Sequence, residues 1–215
     1  MSATQISLYN GALRLCGARK LASLSENTEP RRLLDAAWGS PPSDGAIKYC
    51  LEMGNWTFAA RTVQLDYDPS IAPSFGFRYV FEQPTDLVRV CGIWQDEGCT
   101  VPLLQYTDER RYWYSNLQTI YVKYVSSLAQ YGLDYSLWPE SFVKTVEAFL
   151  ANEIVLNLTQ DKQRLAYVEQ QWKEMVSDAK SLDSAKNPTQ FMPQGSWVGS
   201  RMNGTARSHY RGERF

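Results

Sequence analysis

The segment 47–61 constrains the fold more than any other part of the chain, because its periodicity changes within it. Its first half carries residues at spacings of three and four, which share one helical face: Ile47, Cys50, Leu51 and Gly54. Gly54 and Asn55 are residue types that readily adopt the left-handed conformation that ends a helix. From Trp56 the spacing is two, through Phe58 and along residues 61–67, which predicts a strand. We therefore expect helices before this joint and mainly strands after it, with Trp56 and Phe58 as core anchors.

Three short helices are predicted before the joint. The first covers residues 2–16 and is ended by Gly17; its apolar stripe is Ile6, Tyr9, Leu13 and Cys16. Residues 25–28 followed by Pro30 predict the start of a second helix, whose apolar face is Leu33, Leu34, Ala37 and Trp38. Residues 39–45 contain adjacent prolines, which cannot continue a helix, so the third helix begins near Ala46.

Residues 61–125 are predicted to be mainly β. After residues 61–67, four apolar or alternating runs are separated by Pro, Gly, Asp and Asn: 77–81, 87–94, 101–106 and 119–125. Glu97 and Gly98 predict a tight turn. In the last run, the alternation places Val122 and Tyr124 on one face, opposite Tyr121 and Lys123. Residues 110–114 mix arginines with aromatics, which could form a base-stacking platform; a strand with one buried and one solvated face gives the same pattern and is favoured.

Two helices are predicted after Trp138 and Pro139, since proline suits a first helical position. The first ends near residue 157, and its apolar face is Phe142, Val143, Val146, Phe149, Leu150 and Ile154. The second starts at about Asp161, and its stripe is Leu165, Val168, Trp172, Met175, Ala179 and Leu182. Because the link between these two helices is so short, they are predicted to pack antiparallel to each other. The stripe could serve a coiled-coil partner, but an internal helical bundle is favoured.

The segment 187–215 differs from the rest in being rich in Gly, Pro, Ser, Asn and Arg, with no periodicity. From residue 186 onward there are five basic residues and one acidic residue, a net charge of +4, whereas the remainder has 17 basic and 22 acidic residues, or -5. Such a segment cannot bury enough surface to fold alone. The sequence leaves two alternatives for this segment: it becomes ordered when it binds a partner, or it is simply disordered.

Composition excludes several classes of protein. A net charge of -1 argues against a dedicated nucleic-acid-binding protein. The 4 cysteines form no CxxC pair and His209 is the only histidine, so a zinc site is not expected. Free thiols are expected, with a Cys91–Cys99 bridge as the alternative. No signal peptide and no apolar run of membrane-spanning length is seen, which favours a reducing cytoplasm.

The sequence predicts no enzyme and no cofactor or metal site. Residues 11–17 lack the spacing of a phosphate-binding loop and lie in a predicted helix. His209 lies in the C-terminal segment, where a catalytic triad would have no rigid support. The acidic pairs are ordinary turn and strand-end residues, with no case for a glycosidase pair: Asp66 with Asp68, and Asp108 with Glu109.

Short patterns follow one another in a fixed order between Leu8 and about Lys162. They are LYNGALRLCGA (8–18), LASLSE (21–26), RRLLD (31–35), GNWTFAAR (54–61), YVKYV (121–125) and WPE with Phe142 (138–142). None is specific alone, but their order across about three quarters of the chain resembles tail tubular protein A, the head-to-tail adaptor of short-tailed bacteriophages. The chain departs from the family pattern at 39–45, where a more continuous helix is usual, and matches nothing beyond Leu182.

The resemblance implies an α+β fold. N-terminal helices (1–60) and a C-terminal helical hairpin (137–184) would form a bundle that carries a β-rich, sandwich- or barrel-like domain (61–136), followed by an extended basic tail (185–215). It also implies a structural virion protein of the tail, assembled in the host cytoplasm. Family members form a dodecameric ring between the portal protein and the tail nozzle or tube. Phage DNA passes through the ring, and tail fibres or spikes dock outside it.

The tail would then hold the portal, with arginines facing acidic patches and aromatics as anchors. The portal-interface candidates are Trp197, Arg201, Arg207, Tyr210, Arg211, Arg214 and Phe215. The expected structural anchors are Trp56, Phe58, Trp138, Pro139 and Trp172. Two alternatives are open. One is a nucleic-acid-binding module that uses the basic tail. The other is a tail-associated cell-wall hydrolase, whose paired-carboxylate cleft the sequence does not display.

Overall fold

The computed structural model of the protein describes residues 3–39, 44–73 and 76–186. This part is mixed α+β, with five α-helices and two three-stranded antiparallel sheets. The helices are α1 (Gln5–Cys16), α2 (Glu29–Trp38), α3 (Gly45–Glu52), α4 (Glu140–Thr159) and α5 (Lys162–Ser184). The strands are β1 (Ala60–Asp66), β2 (Tyr79–Glu82), β3 (Leu87–Trp94), β4 (Tyr106–Glu109), β5 (Tyr112–Ser115) and β6 (Thr119–Ser126). The predicted succession of helices, strands and helices is confirmed.

Local capping signals set the helix ends. Thr4 and Ser7 form a capping box at the start of α1, three residues later than predicted, and Gly17 ends the helix at φ 73° as predicted. Pro30 lies in the first turn of α2. The Asp161 side chain accepts a hydrogen bond from the Gln163 backbone N–H and so caps α5.

The prediction of a strand beginning at Trp56 is wrong. A 3₁₀ turn (Thr57–Ala59) precedes β1, which starts at Ala60. Gly54 and Asn55 are not left-handed either, because α3 ends through Met53 at φ -66°. The cause is tertiary: the Trp56 indole turns back to bind the Cys50 carbonyl, 3.0 Å away, which an extended chain would not allow.

The two sheets have the strand orders β1–β6–β3 and β2–β5–β4. Ala60 lies opposite Val125 and Asp66 opposite Thr119, so β1 and β6 pair along their whole length. Residues of both sheets share one hydrophobic cluster, which includes Phe81, Ile93, Trp113, Ile120, Val122 and Tyr124. The predicted alternation of β6 is confirmed, since its other face, with Tyr121 and Lys123, is only half-buried.

Three strand predictions need correction. The run 101–106 is not a strand, because β4 starts only at Tyr106; Pro102 has no N–H for a regular ladder. The run 77–81 begins at Tyr79. In 110–114, Arg110 forms a turn at φ 58°. The strand that follows it has no solvated face, since Trp113, Tyr114 and Ser115 are all buried. The turn at Glu97 and Gly98 is confirmed.

Helix α4 lies at the centre of the helical part, where it contacts α1, α2, α3 and α5. The prediction for α5 fails at its end: Leu182 is 58% exposed, whereas Asp183 is 4% exposed. Asp183 faces inward because it binds the 3₁₀ turn, as described below. All four cysteines are free thiols, so that prediction is confirmed and the Cys91–Cys99 bridge is not formed.

Candidate functional site: the helix–sheet junction

An aromatic cluster joins the chain before β1 to the start of α4. Its members are Trp56, Phe58, Tyr135, Trp138 and Phe142. The ring centroid of Phe142 lies 4.8 Å from that of Phe58, 4.9 Å from that of Trp138 and 5.0 Å from that of Trp56. Edge-on and tilted rings at these separations are stabilising beyond the area they bury. The cluster therefore ties two distant sequence patterns, GNWTFAAR and WPESF, into one contact.

The two indoles in this cluster have satisfied donors. The Trp56 N–H donates to the Cys50 carbonyl and the Trp138 N–H donates to the Gly132 carbonyl at 2.9 Å. A buried tryptophan usually needs such a partner. The structure thus places Trp56 and Trp138 in the core, Phe58 half-buried beside them, and Pro139 immediately before α4.

Trp172, the remaining expected anchor, lies elsewhere. It is half-buried on α5, with its ring centroid 5.9 Å from that of Phe149. The junction therefore includes four of the five anchors proposed from the sequence.

A buried carboxylate connects the ends of three strands at the same junction. Asp86, which precedes β3, accepts hydrogen bonds from the Ser126 hydroxyl at 2.6 Å and the Tyr124 hydroxyl at 3.1 Å. The Arg61 guanidinium at the start of β1 lies 3.2 Å from the same carboxylate. The Asp86 carbonyl also accepts the Ser127 backbone N–H. These four contacts fix β1, β3 and β6 relative to one another.

The charges in this network stabilise each other. Burial alone would raise the pKa of Asp86, but the hydrogen bonds from Ser126, Tyr124 and Arg61 outweigh it and hold that pKa below its ordinary value. Burial and the neighbouring Asp86 raise the pKa of Tyr124 to about 12. The ion pair therefore persists at neutral pH, with Tyr124 as a neutral donor.

A second carboxylate attaches α5 to the junction. Asp183 accepts hydrogen bonds from the Thr57 backbone N–H at 2.9 Å and from the Thr57 hydroxyl at 2.7 Å. The Lys186 ammonium lies 3.7 Å from it. The 3₁₀ turn is therefore held between the aromatic cluster and the last turn of α5.

A cavity of about 360 Å³ lies beside this contact, between residues 53–56, Arg89 and the end of α5. Arg89 donates to the Glu52 carbonyl at 2.8 Å and to the Asn55 side chain at 2.9 Å. A cation that binds the last carbonyl of a helix is a common C-terminal cap. The position of Arg89 in the lining of this cavity is thus accounted for by the end of α3.

The pattern LYNGA in α1 supplies polar contacts that the apolar stripe did not predict. The Tyr9 hydroxyl donates to Asp35 at 3.0 Å. The Asn10 side chain accepts the Leu21 N–H at 2.7 Å and donates to its carbonyl, so it fixes the loop before α2. Gly11 packs directly on the carboxyl group of Glu147 in α4. In the sequence, a polar residue or a glycine inside the apolar stripe of a helix was the feature that could have indicated these contacts.

Comparison of the chain with protein-family models and with curated proteins finds no match. In the ranges 3–39, 44–73 and 76–186, no group of three or more His, Cys, Asp or Glu side chains is placed to hold a metal ion. Among the helices described, none is both long and apolar enough to cross a membrane.

Three of the four acidic residues singled out in the sequence bind structural partners. The Asp66 carboxylate accepts from the Thr119 hydroxyl, and the Asp68 carboxylate accepts from the N–H and hydroxyl of Ser70. The Asp108 carboxylate accepts from the Trp113 indole at 3.0 Å. Glu109 is the last residue of β4. The portal-interface candidates lie outside the described residues: Trp197, Arg201, Arg207, Tyr210, Arg211, Arg214 and Phe215.

Proposed function

We propose that the protein is a structural component of a bacteriophage virion, the ring-forming adaptor that joins the portal to the tail nozzle or tube of a short-tailed phage. The observation that carries the proposal is the ordered set of sequence patterns from 8–18 to 138–142. Support comes from where these patterns lie. Residues of GNWTFAAR and WPESF contact one another through Trp56 and Phe142, and LYNGA packs α1 on α4.

An adaptor of this kind needs a rigid protomer rather than an active site. In our proposal the five helices form a bundle that carries the two sheets as an inserted sandwich- or barrel-like domain. The junction gives such a protomer fixed geometry, because aromatic packing, a buried ion pair and the Asp183 contact all act at one place. Twelve copies would form the ring, with fibres or spikes outside it and DNA passing through its channel.

The segment 187–215 is the proposed portal-binding element. From residue 186 onward the net charge is +4, in contrast with -5 for the remainder of the chain. Arginines would face acidic patches of the portal, and Trp197, Tyr210 and Phe215 would anchor the segment. Truncation after residue 186 should abolish portal binding and leave the far-UV circular dichroism and melting temperature nearly unchanged. Unchanged affinity of the truncated protein for portal would refute this assignment.

Light scattering of the purified protein, alone and with the portal protein of the same phage, tests the proposed function. We expect a large complex of fixed stoichiometry with portal, in which the adaptor mass is a multiple of the 24.6 kDa protomer close to twelve. Whether the ring forms before portal binding is read from the protein-alone sample. A protein that never binds portal would overturn the proposal.

The second candidate function is binding to nucleic acid, and the basic composition of 187–215 is the observation in its favour. It predicts that the isolated protein binds duplex DNA with an affinity that falls steeply as salt rises, because phosphate contacts release counterions. DNA binding without portal binding would replace the adaptor proposal with this one.

A further inference from the structure

One face of the sheet β1–β6–β3 carries an aromatic pair beside a cation. Val122 of β6 lies in the cluster shared by the two sheets, and side chains alternate along a strand, so Tyr121 and Lys123 point to the opposite side. Trp94 lies directly opposite Tyr121 in the pairing of β3 with β6, and directly paired residues share a face. We call Trp94, Tyr121 and Lys123 the outer platform. All three side chains are half-buried.

The indole of the outer platform is held in place by a glycine. The six-membered ring of Trp94 covers Gly92, where a Cβ atom would clash with three carbons of that ring. An aromatic side chain over a glycine supports a strand at the point where it has no side chain of its own. Gly92 lies opposite Lys123, so the ring lies beside that lysine. A ligand that stacks on Trp94 would therefore not have to order it first.

The polar groups of the outer platform have no partner within residues 3–39, 44–73 and 76–186. There the Trp94 indole N–H, the Tyr121 hydroxyl and the Lys123 ammonium form no hydrogen bond or salt bridge. The Trp94 N–H reaches solvent, whereas the Trp172 N–H, which also has no partner there, is buried. One such group on a surface is ordinary, but three lie together here beside a fixed ring. Because indole and ammonium groups only donate, a ligand for this face must supply acceptors.

The electrostatic field at one end of this face is positive, although the chain before residue 186 has a net charge of -5. Cys91 lies in the irregular part of β3 and senses that field. Burial raises the pKa of its thiol, and the nearby cations Lys123 and Arg89 partly lower it. Asp66 lies at the other end of the face, where it already accepts a hydrogen bond from β6. The Lys123 end therefore favours a ligand with negative charge.

We propose that the outer platform binds single-stranded nucleic acid, with a base stacked on Trp94 and a neighbouring phosphate paired with Lys123. Proteins that bind single strands combine aromatic side chains, on which bases stack, with cations that follow the phosphates. The same combination on an open sheet face is a common way of holding unpaired bases. An acidic protein segment would also supply acceptors, but its carboxylates offer no flat ring to cover the indole. This site is distinct from the segment 187–215 and goes beyond the proposed adaptor function.

The experiment measures how the full chain binds a fluorescent oligothymidylate of about twelve nucleotides, by anisotropy over a range of salt concentrations. Trp94→Leu should weaken binding about tenfold, because it removes the stacking of one base. Lys123→Gln should lower the slope of log affinity against log salt by about 0.7, the value for one phosphate contact on a single strand.

Two matched controls come from α5. Tyr167 is an exposed aromatic residue whose ring centroid lies 5.5 Å from the Arg164 guanidinium, and Lys162 is an exposed lysine. Tyr167→Leu should leave the affinity unchanged, and Lys162→Gln should leave the salt slope unchanged.

Lysine footprinting of the wild-type protein locates the oligonucleotide without any substitution. This second readout is needed because Trp94 also packs on Gly92, so its replacement can lower the stability of the sheet. Acetylation of each lysine is followed by mass spectrometry with and without the oligonucleotide. Lys123 should be protected at least threefold, whereas the exposed Lys144 and Lys162 should not be protected.

Three results would overturn the inference. The first is no binding of the oligonucleotide at low salt. The second is binding that leaves Lys123 unprotected or that neither variant changes, which would assign it to another surface such as 187–215. The third is equal protection of Lys123 by polyglutamate with no loss from Trp94→Leu, which would indicate an acidic protein partner instead. None of these results bears on portal binding, so the adaptor proposal is tested separately.

Discussion

The side chain of Glu147 explains why residue 11 is a glycine in an otherwise good helix. A methyl group at position 11 would meet the Glu147 carboxyl group, which also pairs with Arg14 at 3.3 Å. Burial raises the pKa of Glu147, and Arg14 partly offsets this effect. A side chain at residue 11 would therefore require the Glu147 carboxyl group to move.

Gly11→Ala should consequently have opposite effects in two backgrounds. With Glu147 replaced by alanine, the substitution should stabilise the protein by about 1 kcal/mol, the helix-propensity difference. In the wild-type background it should destabilise by about 1 kcal/mol, since Glu147 must move. Urea denaturation of the four proteins gives the coupling energy directly. Equal effects of Gly11→Ala in the two backgrounds would contradict the packing argument.

Asp86 should make stability sensitive to acid. Its pKa is depressed in the folded state, so its contribution is present above the unfolded value of about 3.9 and is lost as pH falls through the folded value. Asp86→Asn should lower the free energy of unfolding by about 1.5–3 kcal/mol at pH 7. It should also flatten the fall in stability between about pH 5 and pH 3.

Chemical denaturation across that pH range checks the Asp86 prediction, with Asp178→Asn at an exposed site of α5 as the control. A variant that follows the wild-type pH profile in parallel would show that Asp86 does not carry the effect.

Side-chain partners were the least predictable feature at this scale. The stripes in α1 and α4 predicted which faces are buried, because burial depends on local spacing. They could not predict that Asn10 binds Leu21 or that Tyr9 binds Asp35, since these contacts depend on a loop and on a second helix. Local spacing therefore predicts the hydrophobic surfaces but not the polar contacts that position them.

At the scale of elements, helix α5 shows how one contact changes the buried face of a helix. Periodicity placed Leu182 inside, but the structure places Asp183 there. A change of one position rotates the face by about 100°, since a helix has 3.6 residues per turn. The two donors of Thr57 are thus decisive at the end of α5, where little apolar surface remains to be covered.

Asp183→Ala and Leu182→Ala test this assignment. The first should destabilise by about 1–3 kcal/mol, because two donors of Thr57 lose their acceptor. The second should change stability by less than about 0.5 kcal/mol. Hydrogen exchange at the Thr57 amide is the direct readout, and it should accelerate only in Asp183→Ala. A larger loss from Leu182→Ala would favour the sequence-based assignment.

The turn between α4 and α5 contains a residue in an unfavourable conformation. Gln160 ends α4 with φ 53°, in the left-handed region. Gln160→Gly should stabilise the protein by about 1 kcal/mol by removing that strain. Gln170→Gly, at an exposed interior position of α5, should instead destabilise by about 0.5–1 kcal/mol. Melting temperatures that change in the same direction would contradict the strain argument.

Helix ends and strand ends differ in how far the sequence predicts them. Gly17, Pro30, Pro139 and Asp161 act within a few residues of the helix ends that they set, and these ends were predicted closely. The strand predicted at 101–106 failed because its residues bind the edge of β3 irregularly instead of forming a ladder. Strand pairing depends on distant residues, so local spacing is a weaker guide.

At the scale of the whole molecule, two hydrophobic clusters are joined at the junction. One lies among the helices and includes Val125 of β6, and the other lies between the sheets and includes its neighbour Tyr124. Adjacent residues of one strand therefore face different clusters. The aromatic cluster lies in the helical one, next to the start of β1, so damage to it should be transmitted to the sheets.

Phe142→Leu tests whether the junction makes the molecule unfold as one unit. The substitution removes three ring contacts in the buried cluster and should destabilise by about 1–3 kcal/mol. Phe149→Leu is the matched control, because Phe149 lies on the same helix but is half-buried and contacts Tyr49 and Trp172 instead. Hydrogen exchange of β3 and β6 is the readout. If the junction couples the two parts, Phe142→Leu lowers protection of these strands by the same free energy as it lowers protection of α4. Strands that keep full protection while α4 loses it would show two independently stable parts, and the rigid protomer that the proposed ring requires would lose its support.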